Sequence, residues 1–189
     1  KDVTFAYVIQ YGDLTVQKQG KGGKALAGAT FQLYDAQKKA VGEPVTTGAD
    51  GKAKWTNLVY STYYVVETAA PVGYQLDSTW HEVSVNQQTV LLPMRNTPVN
   101  GSIRVVKKAA GEERTLAGAQ FELLVKTARG YERAKTEDGE EIPVLTTDAN
   151  GMATWAGIDY GDYYVHEVMP PEGYQPNDEY VPISVRVQG

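Results

Sequence analysis

Polar and apolar residues alternate along most of this chain, in short runs closed by glycine, proline or asparagine. In GDLTVQK, positions 12 to 18, Leu14, Val16 and Lys18 fall on one side of an extended backbone, with Asp13, Thr15 and Gln17 on the other. Runs of this kind predict strands over 13–19, 30–35, 52–56, 62–68, 80–86 and 89–96. The Asp50-Gly51 and Asn150-Gly151 pairs read as hairpin-type turns. DANG at 148 to 151 lacks the further, regularly spaced carboxylates that calcium requires, so it too is read as a turn.

The pattern occurs twice. GDLTVQK returns as GSIRVVK at 101 to 107, LAGATFQL at 26 to 33 returns as LAGAQFEL at 116 to 123, and GADGKAKW at 48 to 55 returns as DANGMATW at 148 to 155. YYVVETAAPVGY at 63 to 74 is matched by YYVHEVMPPEGY at 163 to 174. The offset grows from 89 or 90 at the front to 100 at the back. About ten extra residues therefore lie within KTARGYERAKTEDGEE, which reads as a charged, solvated loop. NTPVNG at 96 to 101 has the composition of a linker. The chain is thus expected to hold two tandem domains, 12–98 and 99–189, preceded by a strand or linker at 1–11. Six or seven short strands in about 90 residues predict an all-β sandwich for each.

Alternation also shows which polar residues point inward. Lys18 ends the apolar face of its strand, and Lys107 does the same after Ile103 and Val105. In YYVHE, His166 sits on one face, while Tyr163, Val165 and Glu167 share the other. By the repeat, Glu67 also points inward. VLLPMRN puts Val90, Leu92, Met94 and Asn96 on one face. Each domain therefore brings a lysine and a glutamate to the end of an apolar stripe, and the first adds an asparagine. Taken singly, each would be a residue at a strand end, with the lysine snorkelling to water. Together they suggest chemistry, because desolvation favours the neutral amine and the neutral acid. A neutral amine beside an asparagine amide can undergo acyl transfer, releasing ammonia and leaving an isopeptide bond.

Composition narrows the alternatives. With 42% hydrophobic residues the chain can bury real cores, and 13 Tyr, 19 Gly and 9 Pro favour strands and turns over helices. A net charge of −5 argues against nucleic acid or an anionic membrane as partner. No apolar run is long enough to insert in a membrane. The absence of cysteine removes disulfides and thiolate metal sites, so any covalent reinforcement needs other chemistry. The two histidines, His81 and His166, are isolated, and no nucleophile elbow or phosphate loop occurs. No turnover enzyme, cofactor or metal centre is expected.

GDLTVQK, LAGATFQLYD, YYVVETAAPVGYQLD and a strand running into NTP before the next GSIRVVK resemble the B-type repeat domains of Gram-positive collagen adhesins and sortase-assembled pilins, the CnaB-like, SpaA-like or prealbumin-like domains. The resemblance covers nearly the whole chain. It implies a sandwich of inverse immunoglobulin topology, cross-linked from a lysine on the first strand to an asparagine on the last. By that resemblance Lys18 is the amine, Asn96 the acyl donor and Glu67 the catalytic acid, with Lys107 and Glu167 in the matching positions of the second copy. Lys108 falls on the other face. The resemblance further implies a stalk or repeat segment of an extracellular protein anchored to a bacterial cell wall, whose partners are neighbouring domains. LPMRN at 92 to 96 reads as a strand and not as a sorting signal, and no Tyr-Pro-Lys polymerisation motif is present. The alternative is a ligand-binding adhesin domain for a host matrix protein or glycan, with Trp55, Trp80 and Trp155 as candidate contacts. Two of those tryptophans repeat after the Asp/Asn-Gly turn, which favours a core role.

Asn96 lies 22 residues after Tyr74, and the same count from Tyr174 passes Gly189. The second copy is therefore expected to lack its final strand and its donor, leaving Lys107 unbonded beside an open edge. Asn177 follows the GYQP turn and is not expected to substitute. Aligned on the following glycine, DVTFAYVIQYG corresponds to VLLPMRNTPVNG, with Tyr7 where Asn96 stands.

Overall fold

The computed structural model describes residues 3–186, and the chain divides into two compact units, Lys1–Thr97 and Pro98–Gly189. Each is all-β, and each is described separately.

Domain one is a two-sheet sandwich. One sheet has three strands in the order β4-β1-β7, formed by Lys52–Val59, Tyr11–Gln19 and Thr89–Arg95. The other has four in the order β3-β2-β5-β6, formed by Ala40–Thr46, Thr30–Tyr34, Ser61–Ala69 and His81–Val85. β1 pairs antiparallel with β4 and parallel with β7, in a register that sets Val16 against Leu92 and Lys18 against Met94. The first and last strands of the domain are therefore neighbours that run in the same direction. The inward faces meet in a core of Leu14, Val16, Phe31, Leu33, Trp55, Val65, Val83, Val85 and Met94.

Domain two repeats the plan. β8 (Asn100–Val106) pairs with β12 (Met152–Asp159) in a two-stranded sheet. Opposite lie β10 (Gly130–Arg133), β9 (Gln120–Thr127), β13 (Gly161–Met169) and β14 (Tyr180–Val185), with β11 (Leu145–Thr146) also pairing with β9. Among the described residues, no strand pairs with β8 on the side where β7 flanks β1.

The predicted strands appear, several of them longer than expected. Two segments depart from the expected strands. Ala40–Thr46, left between the expected strands 30–35 and 52–56, forms β3. It is an edge strand, where proline removes no ladder bond that the sheet needs. The extra residues of the second copy are not merely a solvated loop: they close a hairpin of β9 and β10, and Ala134 and Ile142 from this region are buried in the core. The charges mark only the outward face of that hairpin.

Two repeated devices hold the lysine end of the first strand. The Lys18 amide donates to Gly51 O at 2.7 Å, and Lys18 O accepts from the Leu26 amide at 3.0 Å. The Lys107 amide donates to Gly151 O at 2.8 Å, and Lys107 O accepts from the Leu116 amide at 2.9 Å. Gly51 and Gly151 have φ of +71° and +70°, and a Cβ at either would fall 2.5 or 2.7 Å from the lysine carbonyl oxygen. Gly151→Ala is therefore expected to destabilise domain two by more than about 1 kcal/mol. The lower denaturation midpoint should be confined to that domain.

Thr47 and Thr147 are buried and form the second device. Thr47 Oγ1 donates to Leu26 O at 2.8 Å and accepts from the Ala29 amide at 3.0 Å. Thr147 does the same with Leu116 and Ala119 at the same distances. Thr47→Val would leave both backbone groups unpaired in the interior. A loss of about 1–3 kcal/mol is expected in chemical denaturation.

Candidate functional site

Lys18, Glu67 and Asn96 converge at one end of the domain one core. Lys18 is wholly buried (0% exposed), and Glu67 and Asn96 are buried with it. Lys18 comes from β1, and Asn96 follows β7 directly, its amide donating to Gln19 O at 3.3 Å. Glu67 comes from the opposite sheet, where Phe31 of β2 pairs with it. A register shift follows immediately after Glu67 in β5, and β13 shows the same shift after Glu167. Such a bulge turns the end of a strand and re-aims the side chain beside it.

The carboxylate is the hub. Lys18 Nζ lies 3.2 Å from Glu67 Oε1, Asn96 Nδ2 donates to Oε1 and Oε2 at 3.0 Å each, and the Asp77 amide donates to Oε2 at 2.9 Å. Phe31 forms the floor, with Lys18 Nζ 5.4 Å from its ring centroid. Within this trio, Lys18 Nζ and Asn96 Oδ1 are buried without a hydrogen bond. The ion pair is close but poorly aligned, so it does not satisfy the ammonium donors. Orphaned polar groups of this kind are rare in folded proteins and costly. The carboxylate thus contacts the Asn96 amide nitrogen and not its carbonyl oxygen.

In domain two, Lys107 Nζ lies 2.9 Å from Glu167 Oε1 and 3.1 Å from Oε2, and the Asn177 amide donates to Oε2 at 3.1 Å. Asn177 is thus nearer than its sequence position suggested, but by its backbone. Its Oδ1 accepts from the Glu179 amide at 3.0 Å. The Lys107 side chain is 19% exposed and borders a groove of about 280 Å³ with Ile103, Val105, Phe121, Val165 and Ile183. Lys108 points away and pairs with Glu113.

The amides of Asp77 and Asn177 were missed from sequence, because a backbone donor leaves no residue-type signal. The only clue was the repeated GYQ turn that carries them. Trp55 and Trp155 are buried in the two cores, which removes them as ligand contacts. Trp80 is partly exposed and packs on Tyr34 with ring centroids 4.5 Å apart. His81 bonds Asp77 at 2.8 Å and His166 bonds Glu122 at 3.0 Å. Among the described residues no group of three or more His, Asp or Glu could hold a metal ion, and no helix is long and apolar enough to cross a membrane.

Comparison with known proteins agrees with this architecture. Serine-aspartate repeat-containing protein F of Staphylococcus epidermidis is 28% identical over 177 residues, covering 82% of this chain and 11% of that protein. Serine-aspartate repeat-containing protein D of Staphylococcus aureus is 27% identical over 183 residues, covering 87% of this chain and 14% of that protein. The chain thus spans only a small part of these relatives. The solved Bacillus anthracis TIE protein superposes with a TM-score of 0.73 at 28% identity, over 95% of this chain and 32% of that one. The SpaA family profile, described as a prealbumin-like fold domain, matches residues 12–98 and again 101–189. With two matches that span nearly its whole length, the chain belongs to the SpaA prealbumin-like family as a tandem pair of its domains.

Proposed function

We propose that this chain is a stalk segment of a Gram-positive surface protein, adhesin or pilin, exposed outside the cell and anchored to the wall. In this reading, domain one locks itself with an isopeptide bond between Lys18 and Asn96. One observation carries it: a single buried carboxylate touches both the amine that would attack and the amide nitrogen that would leave. Glu67 takes a proton from the Lys18 ammonium, and the free amine attacks Asn96 Cγ. The same carboxyl group then passes that proton to Asn96 Nδ2, which departs as ammonia, and takes up the second proton shed by the attacking nitrogen, so that Glu67 ends as the neutral acid. An amide replaces the two orphaned groups, Lys18 Nζ and Asn96 Oδ1 becoming its nitrogen and oxygen. The reaction consumes its own side chains, so domain one reacts once and no turnover follows.

The partners in this reading are neighbouring domains of the same protein. Strands β1 and β7 are adjacent and parallel, so a bond between them ties together the two ends of the domain. A pull on the termini would run through that bond.

Intact mass spectrometry tests the proposal. The full chain is expected to weigh one ammonia less than its sequence, and a proteolytic digest should contain one branched peptide joining Lys18 to Asn96. A chain at its full sequence mass would end this reading. A loss of two ammonias would show that Lys107 had found a donor as well.

A further inference from the structure

Glu67 is aimed by a loop as well as by its own strand. The segment between β5 and β6 brings the Asp77 amide to Glu67 Oε2 at 2.9 Å. That bond fixes the rotation of the carboxylate, so that Oε1 stays 3.2 Å from Lys18 Nζ while both oxygens reach Asn96 Nδ2. A hydrogen bond of this kind also favours the charged carboxylate, and so works against its role as a base. Alignment is therefore what the amide can contribute.

Three ties hold the segment that carries this amide. On one side, the Gln75 amide donates to Thr97 O at 2.9 Å, next to Asn96. Within the loop, Asp77 Oδ1 accepts from the Thr79 amide at 3.1 Å. On the other side, Asp77 Oδ2 lies 2.8 Å from His81 Nε2. His81 is the first residue of β6 and pairs with Val65, two residues before Glu67 on the neighbouring strand. Burial would raise the Asp77 carboxyl, but hydrogen bonds from Thr79 and His81 together outweigh it and hold the group below the usual range. Asp77 is therefore a carboxylate at neutral pH, held by His81.

The repeat shows which tie is particular to domain one. In domain two the Asn177 amide meets Glu167 Oε2 at 3.1 Å, and Asn177 Oδ1 accepts from the Glu179 amide at 3.0 Å, so the donor and its turn are kept. The tie to the next strand is not. Val181 stands where His81 does, paired with Val165 as His81 is with Val65, and valine has no donor for the contact. The fold thus forms without this pair.

We infer that His81 and Asp77 are positioning residues for the Lys18–Asn96 bond: His81 anchors the Asp77 side chain, and Asp77 presents its backbone amide to Glu67. The inference rests on the cross-link reading above. Neither side chain enters the reaction, so their effect falls on its rate and not on its product.

The 189-residue chain, made by cell-free translation, sampled at intervals and weighed intact, gives the rate at which one ammonia is lost. His81→Val installs the domain two residue, and Asp77→Ser keeps an oxygen to cap the Thr79 amide but falls short of His81. Each is expected to link about tenfold more slowly, the effect of one hydrogen bond lost where the reacting groups are aligned. The double variant should be no slower than either alone, because the two residues act as one unit. His81→Gln keeps a donor at the position of Nε2 and should restore most of the rate. In an Asn96→Ala background, where no bond forms, His81→Val should barely move the melting temperature of domain one, since both side chains of the pair are 31% exposed. Slower linking without that loss of stability separates positioning from a general loosening of the fold.

Variants that link as fast as the unaltered chain would overturn the inference. Faster linking would overturn it too, by showing that the amide restrains the base more than it aligns it. So would slowing that His81→Gln does not relieve, or slowing matched by an equal loss of stability in the Asn96→Ala background. An unaltered chain that never loses ammonia would instead end the cross-link reading, and this inference with it.

Discussion

Replacing Glu67 by alanine is expected to restore the full sequence mass and to lower the melting temperature of domain one by roughly 20–30 °C. The cross-link closes a loop from Lys18 to Asn96, about 80 residues, and chain-entropy reasoning borrowed from disulfides gives about 4–5 kcal/mol for a loop of that size. For a domain of this length each kcal/mol corresponds to about 4–8 °C. Glu67→Ala also leaves Lys18 buried without a counter-charge, which adds to the loss. Asn96→Ala separates the two effects. It removes the acyl donor but keeps the Lys18–Glu67 pair, so it too should show the full mass, with a smaller fall in melting temperature. Domain two serves as an internal control, since Glu67 and Asn96 lie wholly within the first unit. If Glu67→Ala kept the reduced mass, the carboxylate would have no part in bond formation.

Phe31→Ala should be nearly as damaging, for a different reason. Phe31 is wholly buried, its ring lies under Lys18 Nζ, and its backbone pairs with Glu67. Truncating a core phenylalanine costs about 3–5 kcal/mol through lost burial and the cavity that remains. It also opens the floor of the site to water, which solvates the ammonium and the carboxylate and weakens proton transfer between them. The expected result is a domain one with a clearly lower denaturation midpoint. Freshly purified protein should be a mixture of linked and unlinked masses that shifts towards the linked form over time. Complete linking in the freshly isolated variant would show that dryness of the site does not matter. Phe121→Ala, the matching change in domain two, should cost stability without altering the mass.

Much of this molecule was legible along the chain. A side-chain period of two put Lys18, Glu67 and Asn96 at the ends of inward faces, and the internal repeat resolved the YYVVE strand, where both faces are apolar. Period and repeat suffice because strand geometry leaves a residue only two directions. The pattern failed where a polar residue lay on an edge or outer face. β3 fell outside the expected strands, and β10 lies in the charged insertion read as a loop, because solvent-facing strands carry little apolar signal.

The sequence by itself determined the fold class, the two copies and which side chains point inward, since each follows from local alternation and self-similarity. Only the tertiary structure decided the contacts. It brought Glu67 across from the opposite sheet to the Asn96 amide nitrogen and supplied the backbone amides of Asp77 and Asn177. These depend on which strands become neighbours. Neighbours far apart in sequence are set by the packing of two sheets, and no local pattern encodes that.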